Sequence, residues 1–218
     1  MIAPFGGSSP RTRKGEGWVF VDLSRGLSPG AATFPGDPPF LILPWHSLEI
    51  HGFATRALFL FEHSGTHVDA PRHFFADAAS VDEIPLERFC GVAKALDIST
   101  FPRPLTEETL RSFGVEEGDI VLFVGDPNLE EADAQALLAC RIKGVGVEAE
   151  TIDGPPFPLH RLFLEAGILI YENLTNVREL LGKEALFFAF PLKIPSGTAS
   201  PVRAVGVILS SEGDFGLP

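Results

Sequence analysis

The segment EHSGTHVDAPRHFF, residues 62–75, carries His63, His67 and His73 together with Asp69, and Glu62 stands at its edge. Imidazole nitrogens and carboxylate oxygens are the donors that hold zinc, manganese or iron, and three of them leave coordination positions open for water or substrate. His63 and His67 are four residues apart, and Asp69 follows two later. Gly65 permits a tight turn between the histidines and Pro71 restrains the exit of the loop. Such a turn at a strand end can aim two imidazoles and one carboxylate at a common centre. His73 is not needed for binding, and an imidazole with its ordinary pKa near neutrality suits a general acid or base. The bland alternative for any single histidine is a ring satisfied by backbone carbonyls. The H-x3-H-x-D pattern with a further histidine close by favours a metal.

The elements around this stretch must carry it. TRALFLFE (55–62) reads as a strand that delivers the chain directly into the histidines. WVFVDLS (18–24) and AKALDIS (93–99) read as strands, and LSPGAATFPGDPPF (27–40) as a turn-rich loop. Helix and strand then alternate. Thr106 caps a short helix before the buried run IVLFVG (120–125), and Asn128 with Glu131 resembles a capping box opening a helix to about Arg141. GVGVEAE (144–150) and ILIYEN (168–173) are strand-like, with PLHRLFLEAG (158–167) a short helix between them, ended by Gly167. Asn176 and Glu179 repeat the capping signature, and ALFFAFPLKI (185–194) and VRAVGVILS (202–210) finish as strands. This order predicts an α/β single domain with a mixed β-sheet core and flanking helices.

His160 falls on the short helix and Glu172 on the strand after it, close enough in sequence to fold back to one point. On spacing alone they read as an amphipathic-helix histidine and a strand-end carboxylate. His46 and His51 lack a carboxylate at ligand spacing and read as structural or surface residues. Glu148 and Glu150 alternate along a strand and should share one face, usually a solvated one. No GxSxG occurs, and Ser64 lacks an elbow context. No GxGxxG or GxxxxGK[ST] follows a strand either, which removes the phosphate-cradle folds. Cys90 and Cys140 have no metal-type spacing; they read as small apolar fillers in a reducing cytoplasm.

Composition narrows the partners. The chain has 218 residues, 45% hydrophobic and 21% charged, with 19 Phe against one Tyr and one Met. That is enough for one sizeable core built from rings without polar handles. A formal charge of −12 argues against nucleic acid and against an anionic membrane surface. No apolar run reaches the length of a spanning helix. Residues 1–16, rich in Gly, Ser and Pro with Arg11, Arg13 and Lys14, read as a flexible tail without a secretory signal, and 17–218 as the domain.

HSGTHVDAPRHF resembles the H-x-G-T-H-x-D-x-P-x-H-F signature of the cyclase family of metal-dependent hydrolases, which includes bacterial kynurenine formamidase and isatin hydrolase. VDLSRGLSPGAATFPGDPPF, GVEAETID, YENLTNVREL and FPLKIPSGTASPVRAV are similar to further segments of that family, so the resemblance runs from about Trp18 to the last strand. It implies that His63, His67 and Asp69 hold one metal, that Asp69 bridges to a second, and that His160 and Glu172 complete the second site. It implies His73 as catalytic acid/base. The metal would be Zn2+, two ions per subunit, with Mn2+ as the alternative. The implied fold is the family's swivelling β/β/α type, homodimeric or homotetrameric. The implied reaction is metal-assisted hydrolysis of an aryl amide, with N-formylkynurenine of tryptophan catabolism as the first guess and an isatin-like lactam as the second. Where many relatives carry R-T-G-W after the central strand, this chain has IVLFVGDPNLEE, which alters a loop that shapes the substrate pocket. Phe34, Trp45 and Phe74 are candidates to line an apolar pocket. Two other classes stay open: a two-His-one-carboxylate non-haem iron enzyme, and a non-catalytic metal-stabilised binding protein.

Overall fold

The computed structural model describes residues 16–31 and 33–211. Of the expected tail, residues 1–15 lie outside the described residues, and Glu16 begins the first strand. The strands are β1 (Glu16–Asp22), β2 (Leu41–His46), β3 (Thr55–Phe59), β4 (His67–Asp69), β5 (Cys90–Leu96), β6 (Ile120–Phe123), β7 (Gly144–Val147), β8 (Leu169–Glu172), β9 (Ala185–Phe188), β10 (Ala199–Pro201) and β11 (Val205–Ser211). The helices are α1 (Leu48–His51), α2 (Glu107–Ser112), α3 (Glu131–Ala139) and α4 (Pro158–Glu165).

Nine strands form one mixed sheet in the order β1-β11-β9-β5-β6-β7-β8-β4-β10. The central run β5-β6-β7-β8 is parallel, and the remaining pairs are antiparallel. The parallel run follows from connectivity, because α2, α3 and α4 each return the chain to the same end of the sheet. β2 and β3 form a separate hairpin.

Alternation sorts the side chains of the central strands onto two faces. Val121, Phe123, Val145, Val147 and Ile170 meet the helices, which contribute residues such as Leu110, Leu137 and Phe163. Ile120, Leu122, Leu169 and Tyr171 turn to the other face with Val68, Phe89 and Phe187. Gly146 on β7 shows why GVGV is not VVVV. A Cβ there would lie 2.6 Å from Leu122 Cδ2 and 2.7 Å from Leu174 Cδ1, so glycine makes room for both.

Several sequence expectations need correction. The hairpin strand β2 and the helix α1 were not foreseen, because Pro44 and the adjoining turn residues conceal a bulged pair. The capping position of α3 is Glu130, not Asn128; the Asp133 carboxylate accepts the Glu130 N–H at 2.8 Å. Asn176 adopts a left-handed conformation and its amide donates to the Asp22 carbonyl at 2.9 Å, opening only a 3-10 turn. Thr106 does cap α2, accepting the Thr109 N–H at 3.1 Å, and Gly167 ends α4 in the left-handed region.

Candidate metal centre

His67 and Asp69 are separated by one residue on β4, so their side chains leave the same face while Val68 enters the core behind them. β4 pairs with β8 antiparallel, and the register places His67 directly opposite Glu172. Cross-strand partners on one face lie close together. His67 Nε2 stands 3.4 Å from Glu172 Oε2 and 3.5 Å from Asp69 Oδ1. The sequence placed these residues in a turn. They stand on a three-residue strand, and only His63 occupies the turn before it, with its Nδ1 3.0 Å from Asp69 Oδ1.

Gly65 makes that turn possible. Its φ is +62°, and an added Cβ would meet Leu27 Cδ2 at 2.6 Å. Its carbonyl faces His67 Nδ1 at 2.9 Å, which fixes the ring and leaves Nε2 directed at the cluster.

The fifth donor comes from α4. His160 shares the inward face of that helix with Phe163 and Leu164, three and four residues on, so the helix that covers β8 lowers an imidazole onto Glu172. His160 Nε2 is 3.2 Å from Glu172 Oε1 and 3.5 Å from Asp69 Oδ2. Asp153 holds the other ring nitrogen at 2.5 Å. Asp153 was not singled out from the sequence, although D-x6-H across a turn and a helix start could have suggested it.

Two donor groups result: His63, His67 and Asp69, and Asp69, His160 and Glu172, each with ligand atoms within 4.8 Å of one another. The spacing of His160 and Glu172 had looked unremarkable, and the fold brings them onto Asp69. His67, Asp69, His160 and Glu172 are all buried. His67 Nε2 and both Asp69 oxygens nevertheless lack a hydrogen-bond partner among the described residues. Buried polar atoms in that condition are costly unless something else satisfies them. Lone pairs from three imidazoles and two carboxylates converging on one point fit a divalent metal.

The electrostatics agree. Burial opposes protonation of His160, but the carboxylates of Asp153, Asp69 and Glu172 around its ring outweigh it and raise the pKa to about 11. For His67, burial is again outweighed, here by Glu172 and Asp69, and the value rises to about 9. Burial pushes Asp69 upward, yet His160 and His63 hold it well below the usual carboxylate range. The pocket draws positive charge, and a metal ion would compete with protons for the same lone pairs.

His73 lies outside both donor groups, on a 3-10 turn over Pro71–His73. Its ring centroid is 4.4 Å from that of His63. Burial, aided by the charges of His63 and His160, lowers its pKa, so the ring is neutral at pH 7.

These residues floor a cavity of about 310 Å3. Phe34 and Phe74 stand in its lining, and Phe61 and Phe157, which the sequence did not single out, join them. Phe157 has φ +60° at the start of α4, a strained conformation for an aromatic residue. Trp45 is the correction: it sits on β2, 70% exposed, outside the cavity lining. Glu148 is not on a solvated face. Its carboxylate accepts the N–H groups of Gly125 at 2.6 Å and Val177 at 3.0 Å, tying two loops together. His46 is a surface residue paired with Thr55 at 2.7 Å.

The profile of the Cyclase family matches residues 21–154. The chain is 31% identical to a kynurenine formamidase of Salinibacter ruber over 208 aligned residues, 86% of this chain and 96% of that one. It is similar to the structure of isatin hydrolase A from Ralstonia solanacearum, with TM-score 0.76 and 26% identity over 88% of this chain and 92% of the other. Isatin hydrolase A from Labrenzia aggregata, bound to benzyl benzoate, gives TM-score 0.75 and 27% identity over 89% and 94%. The chain therefore belongs to the cyclase family, and it is an enzyme, a hydrolase.

Proposed function

We propose that this enzyme hydrolyses the C–N bond of an aryl amide, with N-formylkynurenine as substrate and formate and kynurenine as products. The observation that carries the reading is the cavity floor, where buried atoms of His67 and Asp69 converge with His63, His160 and Glu172 without hydrogen-bond partners of their own. His63, His67 and Asp69 would hold one ion, and Asp69, His160 and Glu172 a second. Zinc suits this nitrogen and oxygen set, and manganese is the alternative. A divalent ion held there supplies Lewis acidity and lowers the pKa of water toward neutrality. A three-donor iron site would leave two of the five converging side chains without a purpose, which disfavours the oxygenase alternative. Membership of an enzyme family removes the non-catalytic one.

The protein's own groups do the remaining work. His73, neutral and half-buried beside His63, accepts the proton of the attacking water and returns it to the leaving nitrogen. Phe34 and Phe74 seat the aryl ring and exclude water from the reacting carbonyl. An aryl amine leaves more easily than an alkyl amine, which suits a formanilide. The same chemistry opens a lactam, and likeness to two isatin hydrolase A structures makes isatin the second substrate to test.

The chain works, on this reading, as a homo-oligomer in a reducing cytoplasm, with two free cysteines. The β2–β3 hairpin supports the first point, since Trp45, Leu48, Ile50 and Leu58 are all exposed on it. Among the described residues no helix is long and apolar enough to cross a membrane.

The test is metal content of protein purified without added metal, then formate release from N-formylkynurenine and ring opening of isatin by apo, zinc-loaded and manganese-loaded forms. Stoichiometric metal with turnover that His73→Ala lowers by about 100- to 10,000-fold supports the reading. Protein that neither carries nor takes up a divalent ion sinks it.

A further inference from the structure

We propose that Asp153 is a positioning residue of the metal floor: acting through His160, it sets how tightly the group of Asp69, His160 and Glu172 holds its ion, an inference that rests on the metal-centred reading above. Asp153 belongs to neither donor group and does not line the cavity. Its side chain is 11% exposed and stands behind the His160 ring, with Oδ1 2.5 Å from Nδ1. A carboxylate only accepts, so Nδ1 must carry a proton, and a neutral ring then presents Nε2 as a bare lone pair. Nε2 is the atom aimed at the floor, 3.2 Å from Glu172 Oε1 and 3.5 Å from Asp69 Oδ2.

The second oxygen of the same carboxylate holds the element that carries His160. Phe157 stands at the start of α4 and has no polar side chain with which to cap it. Asp153 Oδ2 takes over that role and accepts the Leu159 N–H at 2.5 Å. The turn between them is closed by the Phe157 N–H, which donates to the Gly154 carbonyl at 2.8 Å. One carboxylate therefore fixes both the rotation of the imidazole and the helix end from which it hangs. The neighbouring backbone serves the same group, since the Ile152 N–H donates to Glu172 Oε1 at 2.7 Å. Two donors of one group are thus held by consecutive residues.

The other group has no such support among the described residues. His67 is oriented by a neutral backbone carbonyl, that of Gly65, at 2.9 Å, and His63 Nδ1 faces Asp69 itself at 3.0 Å. A carboxylate behind a ligating imidazole fixes its tautomer and makes it a stronger donor, and losing it weakens metal binding by about 10- to 100-fold. Asparagine is no substitute. It has one oxygen where two N–H groups need acceptors, so its NH2 must face either the Leu159 N–H or Nδ1. In the first case α4 loses its cap. In the second the ring's proton moves to Nε2, the atom the metal needs.

The experiment measures zinc affinity of the full chain by chelator competition, alongside 15N NMR of the histidine rings in the zinc-loaded protein. The wild-type His160 ring should be protonated on Nδ1 and bound through Nε2, its signals assigned by their loss in His160→Gln. Asp153→Asn should weaken zinc binding by about 10- to 100-fold, and the ion it weakens should be the one that His160→Gln removes. A residue that only caps α4 would lower the denaturant midpoint of metal-free Asp153→Asn and leave the zinc affinity of its folded form unchanged, which overturns the inference. So does a wild-type His160 ring bound through Nδ1 or protonated on Nε2, a readout that needs no variant to fold. If the wild-type chain takes up no divalent ion, the metal-centred reading itself fails and this inference falls with it.

Discussion

The metal floor and the β2–β3 hairpin are opposites. The floor gathers four polar donors around the buried Asp69, three of them buried as well, and leaves three atoms of His67 and Asp69 without hydrogen bonds. The hairpin exposes apolar side chains, Ile50 by 81% and Trp45 by 70%, that an isolated chain would ordinarily cover. On the reading proposed above, each region is incomplete alone, and each incompleteness names what would complete it. Buried lone pairs call for a cation. Exposed rings and aliphatic chains call for another apolar surface. The difference shows how function is carried: a polar group in the wrong place marks a ligand, and an apolar group in the wrong place marks a partner.

The largest effect should come from breaking the floor. Asp69 belongs to both donor groups, so Asp69→Ala removes the shared ligand. We expect loss of bound metal by elemental analysis and a fall in activity of at least about 1,000-fold. Retention of full metal content would contradict the two-group reading.

Next in size is the pH dependence of metal affinity. His67, with its pKa raised to about 9, and His160, raised to about 11, are protonated in the metal-free cluster at neutral pH. Metal must displace those protons, so affinity rises with pH by up to about tenfold per pH unit for each proton released, two below about 9 and one from there to about 11. Chelator competition between pH 6 and 9 measures the slope; a flat profile would show that the imidazoles are not ligands.

On the other side of the comparison, Ile50→Glu with Leu58→Glu places charge on the hairpin. Light scattering or sedimentation should show dissociation to monomers, with metal content unchanged. A wild-type chain that is already monomeric at micromolar concentration removes the partner role of the hairpin. The smallest effect tests the frame that both regions share. Gly146→Ala forces a methyl against Leu122 and Leu174, and should cost about 1–3 kcal/mol in denaturant unfolding.

How much of this was legible in the chain follows from the range of the interactions involved. His63, His67, Asp69 and His73 could be found from spacing, because a tight turn and a two-residue strand offset are local geometry. The central strands and α4 were legible for the same reason, since hydrophobic runs and the Gly167 stop act within a few residues. The capping positions at Asn128 and Asn176 misled, because Asp133 caps the Glu130 N–H two residues on and the distant Asp22 carbonyl takes the Asn176 side-chain amide. Trp45 misled as well: a large apolar residue reads as a pocket or core residue until its strand is seen to stand clear of the sheet.

The sequence by itself determined the chemistry available: nitrogen and oxygen donors, a spare imidazole, an acidic chain and an aromatic interior. Only the tertiary structure decided which donors converge. Glu172 meets His67 because β8 pairs with β4 in one register, and a one-residue slip would turn its carboxylate into the core. His160 joins them because α4 packs across β8. Register and packing are long-range, cooperative choices made by the whole core, so no local spacing rule encodes them.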